Sequence, residues 1–478
     1  MKIGIEELAA RLVALNSWWH KEQIADLPNW RRAAFKELYS CVKSPLGGRA
    51  TFLSGARQIG KTTLIMQAID HLIKDGIPPG NILYATFDDP FLKLAGIDVT
   101  IKAWRQHEPK QDGTEYVFLD EVQFIPDWGT WVKHQVDFNK QRRIIFTGSA
   151  TPIIGASQES GLGRWHTIKL TTLSFYEYVQ LKRLNTPQLP SVKSLKEIFD
   201  WSERDLSHVR EEATPYIAHF HEYLIRGGFP QTVMMDSIDK AQKLLREDII
   251  DKALKRDMTV MFGVRLVLEL EQIFLYICLH DGGMLDMSVI ESNIGVKRPT
   301  AQKFIELLEA AHLIFRMQPF GYGKEVLRGK WKVYLSDQAI ASAVMWRNKN
   351  TLDSNPQLLG VAAESAVLKH LFARYYSQNV RFSYWHGKKD LEVDLVAEIN
   401  GETIPFEVKY RSQHTSLSDC KGLEEFCSKR KIQRGYIVTK SLDDFGAIKQ
   451  NTHETSFLKI PALLLCYFMG EMEVTQKI

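Results

Sequence analysis

Ser54-Gly55-Ala56-Arg57-Gln58-Ile59-Gly60-Lys61-Thr62-Thr63 follows the short apolar run Ala50-Thr51-Phe52-Leu53 and leads into Leu64-Ile65-Met66-Gln67-Ala68-Ile69. A strand, a glycine loop and a helix N-terminus form the setting in which G-x-x-x-x-G-K-T holds a nucleoside triphosphate. Gly55 and Gly60 let the backbone aim its N–H groups at phosphate oxygens, and the helix dipole adds positive potential. Lys61 is expected to reach the β- and γ-phosphates and Thr62 to ligate Mg²⁺, with Gln58 and Thr63 among the loop positions at the nucleotide. The stretch predicts an ATP- or GTP-binding α/β domain.

Four further strands are predicted at 81–89, 115–121, 142–150 and 166–174, separated by helical or looped spacers. That alternation implies a doubly wound parallel sheet, with ligands at the C-terminal ends of its strands. Tyr116-Val117-Phe118-Leu119-Asp120-Glu121 is four buried-type residues followed by two acids, the Walker B pattern. Asp120 is expected in the Mg²⁺ shell, and Glu121 is expected to orient and deprotonate the attacking water. The fourth strand ends Thr147-Gly148-Ser149, and Thr147 or Ser149 is the candidate sensor of the γ-phosphate. Gly163-Arg164 precedes the fifth strand; Arg164 reads either as an arginine finger at a nucleotide or as a solvated side chain.

A chain of 478 residues is too long for one core, and about three domains are expected from length. With 45% hydrophobic and 25% charged residues the composition is that of a globular protein, and a net charge of +4 announces no nucleic-acid partner by itself. The five cysteines are odd in number and form no Cys-x-x-Cys, so neither a disulfide framework nor a zinc knuckle is expected. Acids at the N-terminus argue against a signal peptide, and the apolar run 460–469 is too short for a bilayer and contains Pro461. A cytoplasmic protein without membrane contact is expected.

Residues 1–48 read as a helical segment, with 49–180 as the P-loop domain and 181–280 as a helical lid or linker interrupted at Arg226-Gly227-Gly228-Phe229-Pro230. Over 281–345, a short helix near 287–292, a turn at Asn293-Ile294-Gly295-Val296, a helix at 298–312 and a Gly/Lys-rich hairpin at 321–333 form a winged-helix pattern. Lys297, Arg298, Lys303, Lys324, Arg328 and Lys330 would supply phosphate contacts; a packing unit with solvated lysines is the competing reading.

In the last unit, 357–478, two alternating strands flank Asn400-Gly401, the strongest short signal for a type I′ hairpin. That turn sets Asp394 opposite Glu407, on the face away from Leu395, Phe406 and Val408. Directly opposed like charges destabilise a strand pair unless a cation lies between them, and two carboxylates with water suit Mg²⁺. Lys409 shares the face of Glu407, where it could position a water or stabilise charge on a scissile phosphate. This is the D-(x)n-E-x-K pattern of the restriction-endonuclease fold, with Glu364 in the place of that fold's first-helix acid. The competing reading is a solvated hairpin with Glu392 pairing Lys409.

In the order of these parts the chain resembles the prokaryotic AAA-type ATPases that join a P-loop domain to a winged helix and a restriction-endonuclease-like C-terminal domain. The residues that carry the resemblance are 55–62, 118–121, Thr147-Gly148-Ser149, Gly163-Arg164, Leu173-Ser174-Phe175, 227–230, Lys332-Val333-Tyr334-Leu335-Ser336-Asp337 and Glu407-Val408-Lys409. The run Gln158-Glu159-Ser160-Gly161-Leu162 is less leucine-rich than the resemblance would have it. The resemblance implies ATP hydrolysis, a DNA partner and a metal-dependent nuclease fold. The leading expectation is an ATPase coupled to Mg²⁺-dependent DNA cleavage. The alternatives are a nucleotide switch whose last domain only binds DNA or a protein, and an oligomeric DNA-remodelling ATPase.

Overall fold

A computed structural model describes residues 4–20, 23–149, 163–259, 263–324, 326, 329–378, 380–449 and 455–476. The segment 158–162 and Arg328, singled out above, lie outside them. Five strands, β1 (Ala50–Gly55), β2 (Ile82–Thr86), β3 (Glu115–Asp120), β4 (Arg142–Gly148) and β5 (Trp165–Leu170), form one sheet in the order β2-β3-β4-β1-β5. Every pairing in it is parallel, as the strand–helix alternation predicts. β1 and β3 are buried throughout because helices cover both faces, which is why their sequences read as continuous rather than alternating apolar runs.

The N-terminal helical segment packs onto this sheet. Asn16 acts as a surrogate strand residue at the β2 edge: its amide donates to Tyr84 O at 2.9 Å and its side-chain oxygen accepts from Tyr84 N at 2.7 Å. Trp18 and Trp19 both donate to Ile82 O. An otherwise exposed edge is thereby closed. Arg32, buried, donates to both oxygens of Glu177 and to Ile59 O at 3.0 Å, so the same segment braces the glycine loop from behind.

The residues expected as one lid are divided between two cores. Leu189 to Leu224 and Val233 pack with the C-terminal unit, whereas Phe229 and Leu245 to Cys278 pack with the P-loop helices and the 285–343 region. A buried polar node joins the two. Lys369 Nζ donates to Thr172 Oγ1, Leu173 O, Tyr223 Oη and Gln338 Oε1, and lies 3.4 Å from Asp337 Oδ2. Asp337 in turn accepts from Thr172 Oγ1 at 2.6 Å and Gly228 N at 2.9 Å. The segments at 173–175, 227–230 and 332–337 therefore meet at one point, with Asp337 and Lys369 at 0% and 1% exposure.

The remaining nine strands form a second sheet: β6 (Gly283–Met284), β7 (Ile314–Pro319), β8 (Lys332–Leu335), β9 (Arg381–His386), β10 (Glu392–Ile399), β11 (Glu402–Lys409), β12 (Arg434–Thr439), β13 (Gly446–Lys449) and β14 (Ser456–Pro461). Its order is β13-β14-β12-β11-β10-β9-β7-β8-β6. The units expected at 281–345 and 357–478 thus share a sheet, joined where β7 pairs β9 in parallel through Gln318↔Ser383 and Pro319↔Tyr384. The helices Met287–Ile294 and Arg298–Ala310 precede an antiparallel β7–β8 hairpin, and β6 pairs β8. The strands of that hairpin are 314–319 and 332–335, so the hairpin expected at 321–333 overlaps only the start of the second.

The β10–β11 hairpin has the expected register, Leu395↔Phe406 through Ile399↔Glu402. Asn400 and Gly401 have φ of 51° and 83°, the two positive values that a type I′ turn demands.

Candidate functional site

The glycine loop lies at the C-terminal end of β1. Gly55 is obligatory there: a Cβ would stand 2.3 Å from Ile59 Cδ1 and 2.5 Å from Leu170 O. Gln58 and Gly60 take positive φ of 57° and 93°, which folds the loop back over the helix Lys61–Lys74, whose first turn holds Thr62 and Thr63. Lys61, 4% exposed, donates to Gly55 O and Ala56 O at 2.9 Å each. Those two carbonyls hold the ammonium in the loop that phosphates would enter. Thr62 Oγ1 donates to Asp120 Oδ2 at 2.7 Å, and Thr147 Oγ1 donates to Asp120 Oδ1. Glu121 sits at φ 56°, a costly conformation for a non-glycine residue. It puts the carboxylate 3.9 Å from Lys61 Nζ, and Gln123 ties it to Ser149 by donating to both. The hydroxyl–carboxylate pair of Thr62 and Asp120 is an oxygen donor set of the kind that holds hydrated Mg²⁺ beside a triphosphate.

The structure brings Gly55, Gln58, Gly60, Lys61, Thr62, Thr63, Asp120, Glu121 and Thr147 together, and leaves Arg164 out. Arg164 precedes β5, whose Trp165 pairs with Ala50, while the loop follows Gly55 at the other end of the same strands. About 16 Å of sheet separates the two, at roughly 3.3 Å per residue. Arg164 instead pairs with Asp137 at 2.7 Å. The parallel register decides this, since a residue that starts a strand cannot share the ligand end of the sheet.

Sequence reasoning passes over His312. It follows the helix Arg298–Ala310, is half-buried, and hydrogen-bonds Ser54 Oγ at 2.8 Å through Nε2, one residue before the glycine loop. Burial, with Lys61 and Lys169 nearby, pushes its pKa down to about 3. It is a neutral link between the nucleotide loop and the helix–wing unit.

The second candidate site also assembles. Asp394 accepts from Val408 N through Oδ2 at 2.9 Å, beside Glu407. Lys409 donates to Glu407 Oε1 at 2.6 Å. Glu364, from the helix Pro356–Tyr375, faces the same place. Burial and the charge of Asp394 raise the Glu407 carboxyl to about 8 and that of Glu364 to about 7. Glu407 Oε2 is buried without a hydrogen-bond partner.

The unexpected member is Lys332, from β8. Its ammonium lies 2.8 Å from Glu392 Oε1, 3.2 Å from Asp394 Oδ1 and 3.3 Å from Glu364 Oε1, with the side chain 4% exposed. Glu392 therefore pairs with Lys332, not with Lys409. Tyr334, on the same strand, donates to Glu364. Lys332 thus occupies the cationic place beside Asp394 Oδ1 and Glu364, and among the described residues no group of three or more His, Cys, Asp or Glu is set to hold a metal. Nothing in the pattern Lys332-Val333-Tyr334-Leu335 distinguishes a buried lysine from a solvated one.

Lys297, Arg298, Lys303 and Lys324 are exposed, and no ion pair engages them among the described residues. Lys330 pairs with Asp286 at 2.5 Å. No helix among the described residues is long and apolar enough to cross a membrane.

Residues 47–179 match the AAA domain family; residues 217–351 and 359–462 match two families each described as a domain of unknown function, DUF8612 and DUF4143. An uncharacterised protein of Haemophilus influenzae is 25% identical over 368 residues, which cover 75% of this chain and 82% of that one. One of Methanocaldococcus jannaschii is 23% identical over 402 residues, covering 82% of each chain. Among solved structures, the Aeropyrum pernix Orc1 protein in complex with DNA aligns with a TM-score of 0.29 and 11% identity, covering 69% of this chain and 96% of that one. AMPPCP-bound DnaA from Aquifex aeolicus aligns with a TM-score of 0.27 and 16% identity, covering 57% and 86%. Scores this low have no bearing on this chain. The family match and the geometry of the glycine loop agree: residues 47–179 are a P-loop AAA ATPase domain.

Proposed function

We propose that this chain is an ATP-driven switch that acts on DNA through its helix–wing unit, residues 281–345. In the P-loop domain, Lys61 and the loop N–H groups hold the triphosphate, and Thr62 and Asp120 hold the Mg²⁺ that neutralises its charge. Glu121 orients and deprotonates the attacking water, and Thr147 senses the γ-phosphate through Asp120. Two helices followed by an antiparallel hairpin support reading 281–345 as a winged helix, with Lys297, Arg298, Lys303 and Lys324 as its phosphate contacts. The observation that carries the coupling is the hydrogen bond from His312, at the end of the helix Arg298–Ala310, to Ser54 beside the glycine loop. A loop that moves on binding triphosphate bears on the end of that helix.

The test is fluorescence anisotropy of a labelled duplex titrated with the full chain, with and without a non-hydrolysable ATP analogue and Mg²⁺. Affinity that shifts with nucleotide in the wild type, and falls at least about tenfold in Lys297→Glu/Arg298→Glu, supports the proposal. Equal affinity with and without nucleotide refutes the switch.

A second reading, Mg²⁺-dependent DNA cleavage by a restriction-endonuclease-like C-terminal unit, is favoured by the nearness of Asp394 to Glu407 and the unpartnered Glu407 Oε2. It requires Lys332 to withdraw from Asp394. Plasmid and linear DNA incubated with Mg²⁺ or Mn²⁺, with and without ATP, decide it. Cleavage that Asp394→Ala abolishes would establish it, and intact DNA under all conditions would leave the switch.

A further inference from the structure

A cavity of about 650 Å³ lies where the P-loop sheet, the helix–wing unit and the C-terminal unit meet. One wall is the end of β5 with Lys169 and Leu170, the second is Ala310 and His312, and the third is Phe372 and Phe382. That volume is one small ligands fill.

The rings form an aromatic wall. The Phe372 centroid is 4.7 Å from that of Phe315 and 6.2 Å from that of Phe382. Three cationic and two carboxylate side chains also line the space, and their commitments differ. Arg316 is engaged by Glu309 at 2.6 Å, and Arg381 by Gly321 O at 2.7 Å and Glu398 at 3.4 Å. Glu306 is exposed. Among the described residues Lys169 makes no ion pair within 4 Å and no side-chain hydrogen bond, with only the charge of Glu309 acting on it from further off, and its ammonium lies 5.6 Å from the Phe372 centroid. On the same cavity opens Ser336, 7% exposed, whose Oγ is buried without a partner. A buried hydroxyl with nothing to bond costs free energy that an occupant would recover.

We propose that this cavity is a second ligand site, built for a small aromatic anion of mononucleotide size. The ring of the ligand lies against Phe315, Phe372 and Phe382, its anionic head meets Lys169, and a polar edge satisfies Ser336. Ala56 of the glycine loop and His312, bonded to Ser54, form part of the lining, so an occupant bears on the nucleotide loop without entering it.

The probes are AMP and phenyl phosphate, titrated by calorimetry into the full chain carrying Lys61→Ala, with adenosine as the uncharged control. One equivalent of AMP or phenyl phosphate binds, and adenosine binds at least about tenfold more weakly. AMP binding alone would assign a nucleotide base, and equal binding of phenyl phosphate a ring and a charge. Lys169→Gln, at an exposed position that leaves the core intact, weakens binding about tenfold or more, and Ala310→Phe, which fills the cavity, abolishes it. Three results overturn the proposal: no binding to Lys61→Ala at millimolar ligand, binding indifferent to Lys169→Gln, or binding to the wild type that vanishes in Lys61→Ala. The last would make the cavity a subsite of the P-loop nucleotide.

Discussion

Replacing Lys332 by methionine removes a buried cation and keeps most of its volume. Burial works against the ammonium, yet Tyr334, Asp394, Glu364 and Glu392 hold its proton well above the ordinary lysine value. Without it, Glu364, Glu392 and Asp394 lose the ammonium now within 3.3 Å of each. Removing one partner of a buried ion pair costs about 3–5 kcal/mol, and at 4% exposure no discount for solvent screening applies to the lysine. Because Lys332 belongs to β8 and its partners to β10 and the helix Pro356–Tyr375, the loss falls on the contact between these elements. At 1.4 kcal/mol per tenfold, the amides of 332–335 and 392–399 should exchange with deuterium about 10²- to 4 × 10³-fold faster in Lys332→Met than in the wild type. The amides of β3 should be unchanged. Mn²⁺ should slow the exchange in Lys332→Met, where the cationic place is vacant, and leave the wild type unaffected. Exchange within about twofold of the wild type would show that the carboxylates do not depend on Lys332. Equal protection of both proteins by Mn²⁺ would show that the lysine does not hold the cation's place.

Glu121→Gln should lower ATP turnover by about 10²-fold or more while leaving nucleotide binding intact, because only the water-activating oxygen is lost; a steady-state phosphate-release assay beside a binding titration separates the two. His312 is neutral in the fold down to about pH 3, while the unfolded chain takes up its proton below about 6.5, so the wild type loses stability as pH falls through that range. Each pH unit costs about 1.4 kcal/mol, and a melt at pH 5.5 should therefore favour His312→Asn relative to its deficit at pH 8; identical pH slopes would refute this. Lys369→Met should cost about 3–5 kcal/mol by stranding Asp337, and adding Asp337→Asn should recover much of that loss, which a double-mutant cycle of unfolding energies measures.

What was legible follows from how far apart in the chain the cooperating residues stand. The glycine loop and the Asn400-Gly401 hairpin are set by a few consecutive residues, and both took the expected form, the hairpin with the register Leu395↔Phe406 to Ile399↔Glu402. That the first sheet is parallel followed from the alternation of apolar runs with helical spacers, whereas its order, β2-β3-β4-β1-β5, was not read from the sequence. Motif spacing left Arg164 open between an arginine finger and a solvated side chain; the strand register puts it at the opposite end of the sheet from its own chain's loop. Lys332 could not be found, because it comes to Glu392 from 60 residues away, and a lysine in a short strand looks the same in sequence whether water or three carboxylates surround it.

A cation of the chain's own, Lys332, reaches three carboxylates around the D-(x)n-E-x-K pattern, and it comes from the unit that also touches the glycine loop. Lys332 on β8 and His312 just before β7 belong to one three-stranded element, since β7 and β8 pair from Ile314↔Leu335 to Met317↔Lys332. The contact at Ser54 and the contact at Asp394 are therefore two ends of one hydrogen-bonded piece. A displacement at the glycine loop large enough to break the first cannot leave the second untouched unless that sheet itself deforms. Under the proposed switch the acid cluster is its far end, with Lys332 as the residue whose position would change.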